Sequence, residues 1–265
     1  SEDGKEYNIK ISKNNKLPTV WSHILANEKF GTVVTESMGG YTWYKNSRLN
    51  RLTAWNNNPV TDVPSEIIYL EDIENKKKWT VGISPMPDEN PYYITYGFGY
   101  AKYMHISDGI KQNLEVFIPN EDSVKVGLLT LENTNVKKKE IKLIYYLKPV
   151  LDEDEIKSNG YQKLDYINKS NMLCLKNITK KTNNIMWVSS SEKINSYTGS
   201  KTSFIGNGNL ENPEGLRKIE LDNRNSLWQD GIIAIETKIE IEALSKKEIA
   251  LTFGAGENML ECQDM

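Results

Sequence analysis

Strict two-residue alternation is the feature that most constrains this chain. Ile233, Ile235, Thr237, Ile239, Ile241 and Ala243 share one phase, while Glu236, Lys238, Glu240 and Glu242 take the other. Successive side chains of an extended strand point to opposite faces, so the pattern predicts a half-buried strand with one wet side. The same phase recurs at Val124, Val126 and Leu128, running on to Leu131, and again at Ile141, Leu143, Tyr145 and Leu147. The polar stretch 132–140 between those two runs reads as the turn of a hairpin. Further strands are expected at 30–36, 79–84, 113–118, 172–178, 185–189 and 248–253.

Helical periodicity is nearly absent. A helix fits at 213–218, and nothing amphipathic exceeds two turns. Turn signals are frequent, among them Gly39-Gly40, Asn57-Asn58-Pro59, Pro85-Met86-Pro87, Asn159-Gly160 and Asn207-Gly208-Asn209. Many short strands between such turns predict an all-β fold, a large antiparallel β-sandwich. Its strand content should lie well above the roughly 20–25% of an average globular protein. With no internal repeat and no low-complexity linker, residues 1–265 are expected to form a single sandwich domain.

Charge removes several functions. Thirty-three basic residues against 36 acidic ones give a net charge of −3, and no long basic run marks a nucleic-acid surface. No apolar stretch approaches the roughly 20 residues of a membrane helix, so membrane insertion is not expected. The polar start Ser1-Glu2-Asp3-Gly4-Lys5 does not read as a signal peptide, and the expected location is cytoplasmic. Cys174 and Cys262 with His23 and His105 make neither a disulfide framework nor a zinc site, and read as idle thiols in a reducing compartment. The acidic run 152–155 lacks the glycine and spacing of a calcium loop and reads as a solvated strand end. Asn168-Lys169-Ser170 and Asn177-Ile178-Thr179 match the glycosylation acceptor pattern by chance in an Asn-rich chain.

No catalytic signature emerges: no GxSxG, HExxH, P-loop or strand-borne GxGxxG. The expectation is no catalytic residue, no metal and no cofactor in this chain. Gly97-Phe98-Gly99-Tyr100 is too short and aromatic for a phosphate loop, and Tyr96, Phe98, Tyr100 and Tyr103 read as packing residues. One stretch, 39–59, concentrates aromatic side chains, asparagines and two arginines. Aromatic rings stack on the apolar faces of sugars, while Arg and Asn hydrogen-bond hydroxyls or clamp an anion. The candidate ligand-binding residues are Trp43, Asn46, Arg48, Asn50, Arg51 and Trp55. Arg48 and Arg51 stand three apart, so both can serve one site only if the backbone bends between them. Sheet aromatics with surface arginines remain an equally simple reading of the same residues.

The run Trp21-Ser-His-Ile-Leu-Ala-Asn27-Glu-Lys-Phe30-Gly31, followed by 39–59, closely resembles the N-terminal part of the glycosyltransferase-36 family, grouped with the inverting phosphorylases of glycoside hydrolase family 94. The likeness continues through Tyr96-Gly-Phe-Gly-Tyr100, Val116-Phe-Ile-Pro119, Ser196-Tyr-Thr-Gly199, Phe204-Ile-Gly206 and Gly254-Ala-Gly256. The late motifs look more like the branch of 1,2-β-oligoglucan phosphorylase and cyclic β-1,2-glucan synthase. The resemblance implies a supersandwich related to galactose mutarotase and no catalytic role for this domain alone. It also implies a parent in which a helical toroid of the same polypeptide carries the acid, inorganic phosphate is co-substrate, a β-linked glucan is the ligand, and a homodimer forms. Tyr96 stands where many relatives carry His, and Ala54 where many carry Pro. Two other functions remain open to this sequence: a stand-alone carbohydrate-binding module and a purely structural dimerisation domain.

Overall fold

In a computed structural model the described residues are all but Glu2, Pro59, Asp154, Asn159, 180–183 and 226–230. Pro59 and Asn159 of the turn signals, and Asp154 of the acidic run, therefore lie outside the described residues. Strands make up about half of the described residues. The first seven are β1 (Glu6–Ile11), β2 (Ser22–Ala26), β3 (Phe30–Thr35), β4 (Gly40–Tyr44), β5 (Arg51–Thr53), β6 (Glu66–Asp72) and β7 (Lys78–Thr80). Next come β8 (Tyr92–Gly97), β9 (Tyr100–Ser107), β10 (Ile110–Phe117), β11 (Val124–Asn133), β12 (Lys139–Leu147) and β13 (Pro149–Asp152). The last six are β14 (Gln162–Ile167), β15 (Met172–Asn177), β16 (Ile185–Ser190), β17 (Ser196–Ser200), β18 (Gly231–Ile241) and β19 (Lys246–Gly256). Three short helices accompany them: α1 (Glu155–Ser158), α2 (Lys201–Phe204) and α3 (Met259–Asp264). The helix expected at 213–218 is a single 3-10 turn, Glu214–Arg217.

Every described strand pairing is antiparallel, and the strands form three sheets. Nine strands run in the order β1-β8-β9-β10-β11-β19-β16-β15-β14. Two five-stranded sheets follow the orders β17-β18-β12-β6-β7 and β13-β5-β4-β3-β2. The main core lies between them and draws inward residues from all three, such as Ile94, Leu129 and Phe253, then Leu70, Leu143 and Ile235, then Leu25, Phe30 and Leu52. That is the all-β sandwich the alternation predicts.

Two readings of the sequence need correction. Residues 132–140 do not close a hairpin. β11 pairs with β10 and β19, while β12 pairs with β6 and β18 in another sheet. The chain arches from one layer to the other there, and it does so again between β18 and β19. Asn133, fully buried, joins the two arches. Its Nδ2 donates to the carbonyls of Lys137 at 2.8 Å, Ile241 at 3.2 Å and Glu242 at 3.1 Å, and its Oδ1 accepts from the Asn135 N–H at 2.9 Å.

The wet side of β18 is also drier than alternation says. Lys238 and Glu240 are exposed, but Glu236 is completely buried. The segment from α2 to Leu221 lies over this outer face, where Phe204, Leu216 and Leu221 pack on Ile67, Tyr69, Ile144, Tyr146, Ile232 and Ala234. β6 and β12 are consequently buried on both sides. The aromatic set 96–103 divides: Tyr96 and Tyr103 are core residues, whereas Phe98 is 85% exposed at the β8–β9 turn. Cys174 and Cys262 are free and buried, and burial pushes their thiols up to about 12 and about 11. Among the described residues no helix is long and apolar enough to cross a membrane.

Candidate functional site

The aromatic stretch builds one face of the sheet β13-β5-β4-β3-β2. Thr42, Tyr44 and Leu52 turn inward and are buried. By period two, Tyr41 and Trp43 on β4 and Arg51 on β5 turn outward, each half-buried. The register sets Trp43 opposite both Gly31 and Arg51, and Tyr41 opposite Val33. Gly31 is required at its position. A Cβ there would sit 2.2 Å from Cζ2 of Trp43, so the indole lies across the bare backbone. Gly40 opens β4 at φ +95°, where a side chain would also strike the Val33 carbonyl at 2.1 Å.

The rings form a continuous platform. Tyr41 stacks on Trp55 with centroids 4.6 Å apart and planes 18° from parallel, and meets Trp43 at 5.4 Å and 41°. The Arg51 guanidinium lies 5.3 Å from the Tyr41 centroid and 5.7 Å from that of Trp55. Its Nε is buried without a hydrogen bond. A planar cation held by rings keeps its outer N–H donors for a ligand.

The other predicted residues divide from this group. Asn46 is a turn former, its Oδ1 accepting from the N–H groups of Arg48 at 3.0 Å and Leu49 at 2.8 Å. Asn50 serves the same turn, donating from Nδ2 to the Tyr44 carbonyl at 2.9 Å. Arg48 is exposed on that turn. The structure therefore brings Trp43, Arg51 and Trp55 together and leaves Arg48, Asn46 and Asn50 apart. Arg51→Ala is expected to lower stability by about 1 kcal/mol through lost ring contacts. Arg48→Ala should stay within about 0.5 kcal/mol. Urea unfolding of both variants measures the difference, and equal losses would contradict it.

Beyond Trp55 the chain enters the loop 56–64. Asn58 caps it, its Oδ1 accepting from Val60 N at 2.9 Å and Thr61 N at 3.1 Å. Asp62 pins it to the β3–β4 corner, accepting at Oδ2 from the hydroxyls of Thr35 and Ser37. Trp55 walls a cavity of about 400 Å³ with Asn56, Lys148, Glu155, Lys201 and Asn209. Lys148 forms an ion pair with Glu155. Sequence reasoning missed Tyr41 as the central ring, although it lies inside the chosen stretch. It also missed Lys148, Lys201 and Asn209, which no local pattern connects with Trp55. Among the described residues no three His, Cys, Asp or Glu side chains gather as metal ligands.

Aromatic rings, an arginine and amide and ammonium groups at a concave edge form a surface that can take a sugar ring or an oxyanion. Residues 5–265 match the family model "Glycosyl hydrolase 94, supersandwich domain". The chain is 22% identical over 263 residues to a cyclic beta-(1,2)-glucan synthase of Rhizobium meliloti, covering 97% of this chain and 9% of that protein. It is 30% identical over 148 residues to an N,N'-diacetylchitobiose phosphorylase of Vibrio furnissii, covering 55% of this chain and 18% of the relative. The chain thus spans less than a fifth of either. In fold it is similar to a galactose mutarotase related enzyme from Lactobacillus acidophilus, with a TM-score of 0.50 at 6% identity over 89% of this chain and 97% of that one.

Proposed function

The chain belongs to the glycosyl hydrolase 94 supersandwich family, and from that membership we propose that it is the non-catalytic, carbohydrate-contacting sandwich of a β-glucan phosphorylase or cyclic β-1,2-glucan synthase. The observation that carries the carbohydrate part is the Tyr41–Trp43–Trp55 platform with Arg51 laid against it, at the edge of the Trp55 cavity. A pyranose stacks on such rings through its C–H face while Arg51, Asn56 and Asn209 supply hydrogen bonds. In the parent, an acid on a helical toroid protonates the glycosidic oxygen and inorganic phosphate attacks the anomeric carbon with inversion. The toroid of the same polypeptide and a second copy of the protein are its partners. A cytoplasmic location suits its two buried free thiols.

The test is calorimetric titration of the chain with β-1,2-linked glucan oligomers. Trp43→Ala and Arg51→Ala should weaken binding while Arg48→Ala leaves it unchanged. In the parent enzyme, truncating a ligand-bonded Arg51 should cost about 2–5 kcal/mol in affinity. The chain alone, given oligomers and phosphate, should release no glucose 1-phosphate. Sustained turnover after repurification would return the protein to the enzymes, and binding indifferent to Trp43 and Arg51 would make the platform structural.

A further inference from the structure

A second cavity, of about 470 Å³, shares Val63, Pro64, Asn209 and Leu210 with the first. Its walls are largely aliphatic, with Ile11, Leu17, Val20 and Ile83 among them, and its size suits a small molecule. Three carboxylates, Glu36, Asp62 and Glu211, and the Lys16 ammonium line the space beside its aliphatic walls. Glu36 is 8% exposed. Its Oε2 accepts the Trp21 N–H at 2.9 Å, while Oε1 receives no hydrogen bond from any described residue. Asp62 spends Oδ2 on the Thr35 and Ser37 hydroxyls, and its Oδ1 is likewise without a described donor. Burial, with Asp62 nearby, holds the Glu36 carboxyl above the usual carboxylate range. Neither free oxygen is sealed from solvent, so each keeps its acceptor capacity for something that donates hydrogen bonds.

We propose that this cavity binds a sugar residue, whose hydroxyls donate to Glu36 Oε1 and Asp62 Oδ1 while its C–H faces lie on the aliphatic walls. Three carboxylates against the single Lys16 ammonium disfavour an anion. Thr61, Ser84 and Asn209 add neutral hydroxyl and amide partners around the same space, which complement the many donors and acceptors of a polyol. The proposal rests on the carbohydrate reading above and shares Asn209 with that site, but its own acceptors are Glu36 and Asp62, so the two can fail separately.

The experiment follows backbone amide resonances of the chain by NMR during titration with D-glucose and with the β-1,2-linked glucose disaccharide. The Trp21 amide, bonded to Glu36, reports on the cavity. Its resonance should shift saturably with at least one of the two sugars. Glu36→Gln keeps an acceptor for the Trp21 N–H but removes the charge, and should weaken the sugar about tenfold, in line with the strength of charge-assisted hydrogen bonds. Thr61→Trp, at the exposed rim, should weaken it too without touching the carboxylates. Trp43→Ala should leave the Trp21 response intact, and that outcome holds whether or not the ring platform binds glycan. The proposal is overturned if neither sugar shifts the Trp21 amide saturably. It is overturned equally if Glu36→Gln and Thr61→Trp bind as tightly as the parent chain, or if the response disappears in Trp43→Ala alone.

Discussion

Asn133→Ala is expected to destabilise the protein by about 3 kcal/mol or more, since each buried group stripped of its partner costs roughly 1–3 kcal/mol. One amide serves three carbonyls and one N–H, taken from both inter-sheet arches. Alanine leaves all four without that partner, around a side chain that is itself fully buried. For a protein of this size the loss corresponds to a melting temperature lower by about 6–12 °C. Asn133→Asp should be no better, because a carboxylate would face carbonyl oxygens that need a donor. Thermal unfolding followed by circular dichroism measures both. A loss below about 1 kcal/mol for the alanine variant would mean the arches are held by their backbone bonds alone.

The second large effect is expected beneath the segment that covers β18. Lys142 is buried, donates to the Lys218 carbonyl at 2.6 Å, and lies 3.8 Å from Glu236 and 3.9 Å from Glu71. Neither carboxylate oxygen of the fully buried Glu236 has a hydrogen bond from a described residue. Lys142→Ala removes the cation and leaves that charge stranded, which should cost about 3–5 kcal/mol. Lys142→Met combined with Glu236→Leu should recover most of the loss, because an apolar pair of similar size has no desolvation penalty. If the double variant is as unstable as Lys142→Ala, packing and not charge governs the site.

The same residue gives the fold a pH dependence. Burial, opposed by Lys142 and Lys238, raises the Glu236 carboxyl above its ordinary 4.5. A raised carboxyl binds its proton more tightly in the folded than in the unfolded chain. Its contribution is therefore fully present in acid, and fades as pH climbs from about 4.5 through the raised value. Glu236→Gln should flatten that slope in urea-derived stabilities measured from pH 4 upward, and an unchanged slope would assign it to other groups.

How much of this was visible beforehand follows from what alternation can report. Period two finds strands, and at β12 and β18 their inward phase, but at β11 the main core takes Leu129 and Leu131 and leaves out the expected phase Val124, Val126 and Leu128. It says nothing about which sheet a strand joins, so an arch and a hairpin look alike between 132 and 140. It also assigns a face to water by polarity, which fails at Glu236 because residues near 204–221 come back to cover it. In the candidate site, composition located Trp43, Arg51 and Trp55. It could not separate them from Asn46 and Asn50, since an asparagine that bonds a sugar and one that caps a turn have the same side chain. Lys148 and Lys201 reach the Trp55 cavity by tertiary folding alone.

The loop 56–64 gives the molecule one more property. It is a party wall: Val63 and Pro64 face both hollows, and Asp62 moors it to the β3–β4 corner. An occupant that presses this wall from one side alters the room on the other. By thermodynamic reciprocity the influence is equal in both directions. Were both hollows filled as proposed, their occupants would share this partition, which the Thr35 and Ser37 hydroxyls hold through Asp62.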